Sequence, residues 1–225
     1  MIEIMDLKVL YEDKYIVVCL KPVGVLSEES GNRQSMPLLL KQYFAEKNEK
    51  NDIYTLHRLD KNVGGVMVFA RNPKSASILA GNIASRDFEK EYLAVVYGKP
   101  EAENGTLSDL LLHDASHNKT YVVDRMRKGV REASLDYELI GSRKYEDKEL
   151  SLVRVSLHTG RTHQIRVQFA SRKMPLVGDG RYGSADGGDV PALWACRIAF
   201  VHPKTHEHME FSFDPPGVFP FELFE

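Results

Sequence analysis

The chain predicts an α+β fold, a mixed and mostly antiparallel β-sheet flanked by helices and loops, and three observations predict it. Runs rich in β-branched and aromatic residues outnumber runs with helical spacing. The two kinds do not alternate regularly, as a doubly wound sheet requires, and neither an internal repeat nor a low-complexity linker interrupts them. With 225 residues, 43% hydrophobic and 28% charged, the chain is long and apolar enough to fill a core, and a single domain over 1–225 is the simplest expectation.

Each element has a local reason. "KVLYEDKYIVVCLKP" reads as strand, turn and strand, broken at Glu12-Asp13-Lys14 and stopped by Pro22. "MPLLLKQYFAEKN" sets Leu38 to Leu40, Tyr43 and Phe44 on helical spacing, whereas "GGVMVFA" is a short strand bounded by glycines. Asn72 as cap and Pro73 at the first helical position start a helix through "SASILAGNIASR". "FEKEYLAVVYG" is a strand, and the region from Glu101 to Lys128 is polar and turn-rich. "EASLDYELIG" and "ELSLVRVSLH" alternate well enough to pair antiparallel, and a helix follows in "THQIRVQFASR". "ALWACRIAFVH" and "MEFSFD" are closing strands, and "PPGVFPFELFE" is a tail interrupted by proline.

Composition excludes several classes of function. A net charge of −2 and a pI near 6.5 remove bulk basicity as an argument for nucleic-acid binding, so any polyanion site must be local. Cys19 and Cys196 form no CxxC pair, which argues against a disulfide framework or a thiolate zinc site. The acidic start "MIEIMDLKVLYED" lacks the pattern of a signal peptide, and no apolar run approaches the roughly 20 residues of a membrane helix. A cytoplasmic protein, monomeric by default, is expected.

Several motifs are refused on physical grounds. "HRLDKN" differs from the kinase catalytic loop by Leu59, and no DFG or strand lysine accompanies it. "GDGRYG" at 178–183 matches G-x-G-x-x-G, but "SADGGDVP" after it cannot begin the helix that holds a pyrophosphate, so a tight turn is expected. His202, His206 and His208 in "HPKTHEH" lack a fixed zinc spacing, and His113 and His117 sit among loop-forming residues.

Two dense polar stretches remain, "YTLHRLDKNVGGVMVFARN" and "LHTGRTHQIRVQFA". In the second, Arg161, His163 and Arg166 alternate with Ile165, Val167 and Phe169, so on a helix the apolar residues anchor one face and Arg166 emerges from the buried side. An arginine held that way needs a carboxylate, and Asp60 in the first stretch is the candidate, through a bidentate pair. A purely structural salt bridge uses the same residues, so on spacing alone both readings stand. Tyr92 and Tyr97 in "KEYLAVVYG" are equally good core residues by composition.

Taken together, "HRLDKNVGGVMVFARN", "KEYLAVVYG" and "TGRTHQIRVQFASRKMPLVGDGRYG", in that order, resemble the RNA pseudouridine synthases of the RluA type, and the likeness runs from about Val9 to Pro215. The resemblance implies isomerisation of selected uridines in structured RNA, ribosomal or transfer, in a cleft between the "HRLD" loop and the helix after Gly160, with no cofactor and no metal. It implies Asp60 as the catalytic aspartate, Arg166 as its ion-pair partner, and Tyr92 beneath the flipped base, where it helps move the proton at C5. Because the uracil never leaves, one carboxylate suffices where a glycosidase needs two. Arg58 matches the residue that fills the vacated site in the RNA helix, with His57 beside it in the substrate-binding set, Arg161 for phosphate or support, and Gln164 for orienting the loop. "KTYVVDRMRKGVR" adds a basic strip of Lys119, Arg125, Arg127, Lys128 and Arg131 for RNA phosphates.

The departures are specific. Val63-Gly64-Gly65 stands where the family usually has Thr-Ser-Gly, which removes two hydroxyls after Asp60, and Gln168 and Trp194 stand where histidines are common. No small basic RNA-binding domain precedes Val9, so a small, locally folded RNA target is expected. Two rivals make different predictions: a non-catalytic RNA-binding or RNA-folding module on the same fold, and a nucleoside glycosidase, which needs a second carboxylate that the sequence does not offer.

Overall fold

The structure, a computed structural model, describes residues 7–31, 33–50, 52–85, 87–184 and 187–225, so Arg86 at the end of the helix expected through "SASILAGNIASR" lies outside the described residues. The chain resolves into two compact units, one of residues 1–90 and 195–213, the other of residues 91–194 and 214–225. The described elements are eleven strands and three α-helices, an α+β architecture in which the strand pairings with a defined register are antiparallel.

The first unit is ordered β1 (Val9–Glu12), β2 (Ile16–Lys21), β4 (Gly64–Ala70), β10 (Leu193–Val201), with β3 (Tyr54–Thr55) on β4 and β11 (His208–Ser212) on β10. All seven residues of β4 are buried, which explains why "GGVMVFA" is apolar without alternation: a strand covered on both faces has no polar side. Ile16 pairs with Ala70 and Val18 with Val68, and this face joins Leu79, Phe88 and Phe200 in one apolar cluster. Leu79 comes from α2 (Pro73–Ser85), whose start is capped as the sequence predicts, with the Ser75 N–H donating to Asn72 Oδ1 at 2.9 Å. Helix α1 (Met36–Glu46) likewise carries proline in its first turn and buries Met36, Leu39, Leu40 and Phe44.

The second unit is ordered β5 (Phe88–Tyr97), β9 (Lys148–Leu157), β8 (Val130–Tyr145), β6 (Asn104–Asp114), β7 (Lys119–Val123), with β5 entering it from the first unit. Here one expectation is corrected. The polar, turn-rich region from Glu101 to Lys128 contains the long β6–β7 hairpin, which pairs with β8 from Asn104↔Glu138 to Leu112↔Val130. Its alternation is weak because only Leu107 and Leu111 are deeply buried, so the pairing, not periodicity, holds the strand.

Helix α3 (Gln164–Ser171) corrects a second expectation. Every residue from Gln164 to Phe169 is buried, so this stretch turns no polar face to solvent, and its polar side chains bond inside except for Gln168 Oε1, which is buried without a partner. Val167 packs with Leu111, Ala133 and Tyr182, and Gln168 donates to Asp109 Oδ2 at 2.7 Å and to the Leu107 carbonyl at 3.2 Å.

Candidate active site

The loop that carries Asp60 is pinned on both sides of that residue. On one side, the Ser27 hydroxyl donates to the Leu59 carbonyl at 2.7 Å and accepts the Leu59 N–H at 2.9 Å, and Ser27 is itself buried. On the other, the Lys61 carbonyl accepts from the Gly24 N–H at 2.8 Å and from the Lys21 ammonium at 3.0 Å. Asp60 then closes a turn, its carbonyl accepting the Val63 N–H at 3.0 Å, while its side chain stays partly exposed. A carboxylate on a fixed backbone with access to solvent is the arrangement a reacting group needs.

Lys21 is the residue that the sequence reading missed here. It is fully buried at the end of β2, and its three ammonium donors reach the carbonyls of Pro22, Val25 and Lys61 at 2.9, 2.7 and 3.0 Å. Burial pushes it down to about 7, opposed by the nearby Asp60 carboxylate. The available signal was the lysine itself, a cation ending the apolar run "YIVVCL", since a lysine there must either leave the sheet or be held by several acceptors.

The same segment fixes the glycine that follows. Gly65 adopts φ +129°, and a Cβ there would lie 2.2 Å from the Ala195 carbonyl oxygen. Glycine is required at 65, whereas Val63 is simply buried.

The two residues before Leu59 diverge. His57 is placed in the core: its ring packs against Phe88 at 5.2 Å between centroids, Nε2 accepts the Val68 N–H at 3.3 Å, and Nδ1 is buried without a partner. Burial pushes it down to about 3, so the ring is neutral. This environment gives His57 a packing role, with no donor turned to solvent. Arg58 is exposed, and its Nη1 meets Glu28 Oε1 at 2.7 Å.

In the second unit Tyr92 and Tyr97 separate cleanly. They are an odd number of residues apart on β5 and so face opposite sides of the strand. Tyr92, opposite Val155, is 6% exposed, whereas Tyr97 is half-buried under the Lys148 ammonium at 5.1 Å from its ring centroid.

Arg166 is buried and bonded to both carboxylate oxygens of Asp179: Nε reaches Oδ2 at 2.7 Å and Nη2 reaches Oδ1 at 2.8 Å. Asp179 lies in the "GDGRYG" turn, which is a 3-10 turn over Gly180–Tyr182, as the refusal of a nucleotide-binding reading anticipates. A carboxylate between two glycines, 13 residues after a buried arginine, was a legible signal that the refusal of the motif set aside.

Gln164 and Arg161 shape the approach to α3. The Gln164 amide oxygen accepts from the Thr159 hydroxyl at 2.8 Å and the Arg161 N–H at 3.0 Å, and its NH2 donates to the Ser134 carbonyl at 3.0 Å. A buried amide so satisfied ties the segment from Thr159 to Arg161 to Ser134. Arg161 is exposed, with Nε donating to the Glu132 carbonyl at 3.0 Å.

Among the described residues no group of three or more His, Cys, Asp or Glu is arranged to hold a metal, and no helix is long and apolar enough to cross a membrane. His202 is instead buried, Nε2 lying 3.0 Å from Asp13 Oδ2 and Nδ1 accepting the Thr205 N–H at 3.0 Å.

Comparison with known proteins agrees with the motifs. The family described as RNA pseudouridylate synthase matches residues 15–171. The uncharacterized RNA pseudouridine synthase YhcT of Bacillus subtilis (strain 168) is 32% identical over 90% of this chain and 66% of its own length, so the chain spans slightly under two thirds of that relative. The tRNA pseudouridine synthase C of Pasteurella multocida is 28% identical over 91% of this chain and 90% of its own length. Among solved structures, human RNA Pseudouridylate Synthase Domain Containing 1 superposes with a TM-score of 0.80 at 21% identity, covering 97% of this chain and 87% of that one, which establishes the shared fold. With the family match spanning residues 15–171 and both characteristic motifs inside it, the chain belongs to the RNA pseudouridylate synthase family.

Proposed function

We propose that this protein isomerises specific uridines in structured RNA, ribosomal or transfer, to pseudouridine, and that Asp60 carries the reaction. The observation that carries the reading is the double pinning of the Asp60 backbone by Ser27 and Lys21, which fixes a carboxylate that is still partly exposed. The bond from ribose C1′ to N1 breaks, C1′ rejoins at C5, and the proton released at C5 balances the one gained at N1. No group leaves, so one carboxylate is enough.

Tyr92 is the proposed support beneath the extruded base and the carrier of the C5 proton, a role that suits the more buried of the two tyrosines on β5. Arg166 is the proposed cation of the reaction. Arg58, on the exposed loop, is the proposed contact to the RNA helix from which the base is taken. The strip on β7 and after it, with Tyr121 and Met126 exposed among its cations, is the proposed phosphate-contacting surface. Arg161 adds a further candidate phosphate contact. His57 is left out of the substrate-binding set because its ring is occupied in the core.

The test is mass mapping of pseudouridine after carbodiimide labelling in total RNA from cells with and without the gene, complemented by wild-type or Asp60→Asn protein. The expected result is loss of one or a few sites, restored by wild type and not by Asp60→Asn, with RNA affinity of the variant within a few-fold. No lost site would favour the non-catalytic module, and equal loss of affinity and rate would remove Asp60 from the chemistry.

A further inference from the structure

The short turn that ends at Tyr182 is tied to two things at once. Its first residue, Asp179, holds Arg166 through both carboxylate oxygens. Its last two hold the β6–β7 hairpin: Arg181 Nη1 donates to the carbonyls of His117 at 3.1 Å and Asn118 at 3.3 Å, and the Tyr182 hydroxyl accepts the Thr120 N–H at 2.8 Å. The turn itself has little freedom. The Asp179 carbonyl accepts from Tyr182 and Ser184 at 3.1 and 3.0 Å, and a Cβ on Gly178 or Gly180 would strike a backbone carbonyl at 2.2 or 2.7 Å.

Tyr182 makes the connection tighter than the backbone alone. With one lone pair occupied by Thr120, its hydroxyl lies 2.9 Å from His163 Nδ1, the residue at φ +55° that starts α3 three positions before Arg166. Its ring sits 5.2 Å from the Arg166 guanidinium carbon and 5.6 Å from the Lys119 ammonium. Thr120 adds a further tie, its hydroxyl donating to the Thr162 carbonyl at 2.8 Å.

We propose that Tyr182 is a positioning residue that couples the seating of the β6–β7 hairpin to the placement of Arg166. The hairpin carries the start of the basic strip, so RNA phosphates that engage Lys119 and its neighbours bear on the same turn that sets the arginine. This inference rests on the RNA reading above, and a displacement of the guanidinium of about 1 Å is enough to slow a positioned reaction by 10- to 100-fold.

The experiment is Tyr182→Phe, which keeps the ring and removes the hydroxyl, with Arg181→Gln as a second variant that releases the other tie to the hairpin. Two quantities are read: the single-turnover rate of pseudouridine formation against RNA affinity, and the exchange rate of the Arg166 Nε–H by NMR in the absence of RNA. For Tyr182→Phe the expected result is a rate lowered by about tenfold at saturating RNA with affinity within twofold, and faster Nε–H exchange. Arg181→Gln is expected to move both readouts in the same direction by less. Unchanged exchange in both variants would overturn the proposal, as would a loss of affinity that accounts for the whole loss of rate. If the wild-type protein isomerises no RNA, the proposed function fails separately, and the exchange measurement still decides whether Tyr182 positions Arg166.

Discussion

The loop around Asp60 and the helix around Arg166 are held by opposite means. The first is fixed through its backbone: the main-chain groups of Leu59 and Lys61 are bonded, and the cation that does part of this work, Lys21, touches only carbonyls. The second is fixed through side chains, with a carboxylate, a phenol ring and a histidine arranged about one guanidinium and its helix start. A backbone clamp acts on the main chain beside Asp60, which stays partly exposed, whereas a side-chain cage fixes the Arg166 cation itself. The difference teaches that a loop can be fixed by its main chain alone, while a buried cation has to be fixed by the side chains that meet its charge.

Asp179→Asn is the strongest way to break the contrast. It takes the gripping charge from a buried guanidinium and should destabilise the protein by about 3–5 kcal/mol in urea unfolding. Asp179→Glu, which keeps the charge but displaces it, should recover part of that. A variant as stable as wild type would show that Arg166 does not depend on this carboxylate.

Lys21→Met comes next. It keeps an unbranched apolar stem and leaves the carbonyls of Pro22, Val25 and Lys61 without their shared donor, at a cost of about 1–3 kcal/mol. Lys21→Arg should not rescue it, because a guanidinium is larger and planar where a fully buried ammonium meets three carbonyls. An unchanged unfolding midpoint for Lys21→Met would mean that Ser27 and Gly24 alone hold the loop.

These two residues also mark how far the sequence could be read. Most strands, the α2 start with its cap and proline, and the α3 helix are legible because propensity, capping and burial agree locally. The β6–β7 hairpin was not, since its strands are half-exposed and are defined by pairing with β8. Asp60 and Arg166 were legible as charges embedded among apolar residues. Their holders are harder to read: Lys21 is 39 residues before Asp60 and meets its loop through backbone atoms, which carry no sequence signature, and Asp179 is marked only by its place between two glycines. A buried cation states that acceptors exist without naming them.

His57 sharpens the comparison from a third side, because it is a buried titratable ring that neither clamp holds as an ion. Only Nε2 is engaged, by the Val68 N–H, and the ring is pushed down to about 3 from an ordinary 6.5. A folded value below the unfolded one means that the unfolded chain binds the extra proton first. The resulting stability is therefore present in full above pH 6.5 and is lost as pH falls toward 3. Between pH 7 and pH 5 this single group should cost the fold about 2 kcal/mol, and His57→Phe should lack that part of the acid limb whatever it does to stability at pH 7. Urea unfolding of both proteins at the two pH values checks it: parallel losses would place the acid sensitivity elsewhere and return His57 to the candidates for an accessible, ionisable contact in the site.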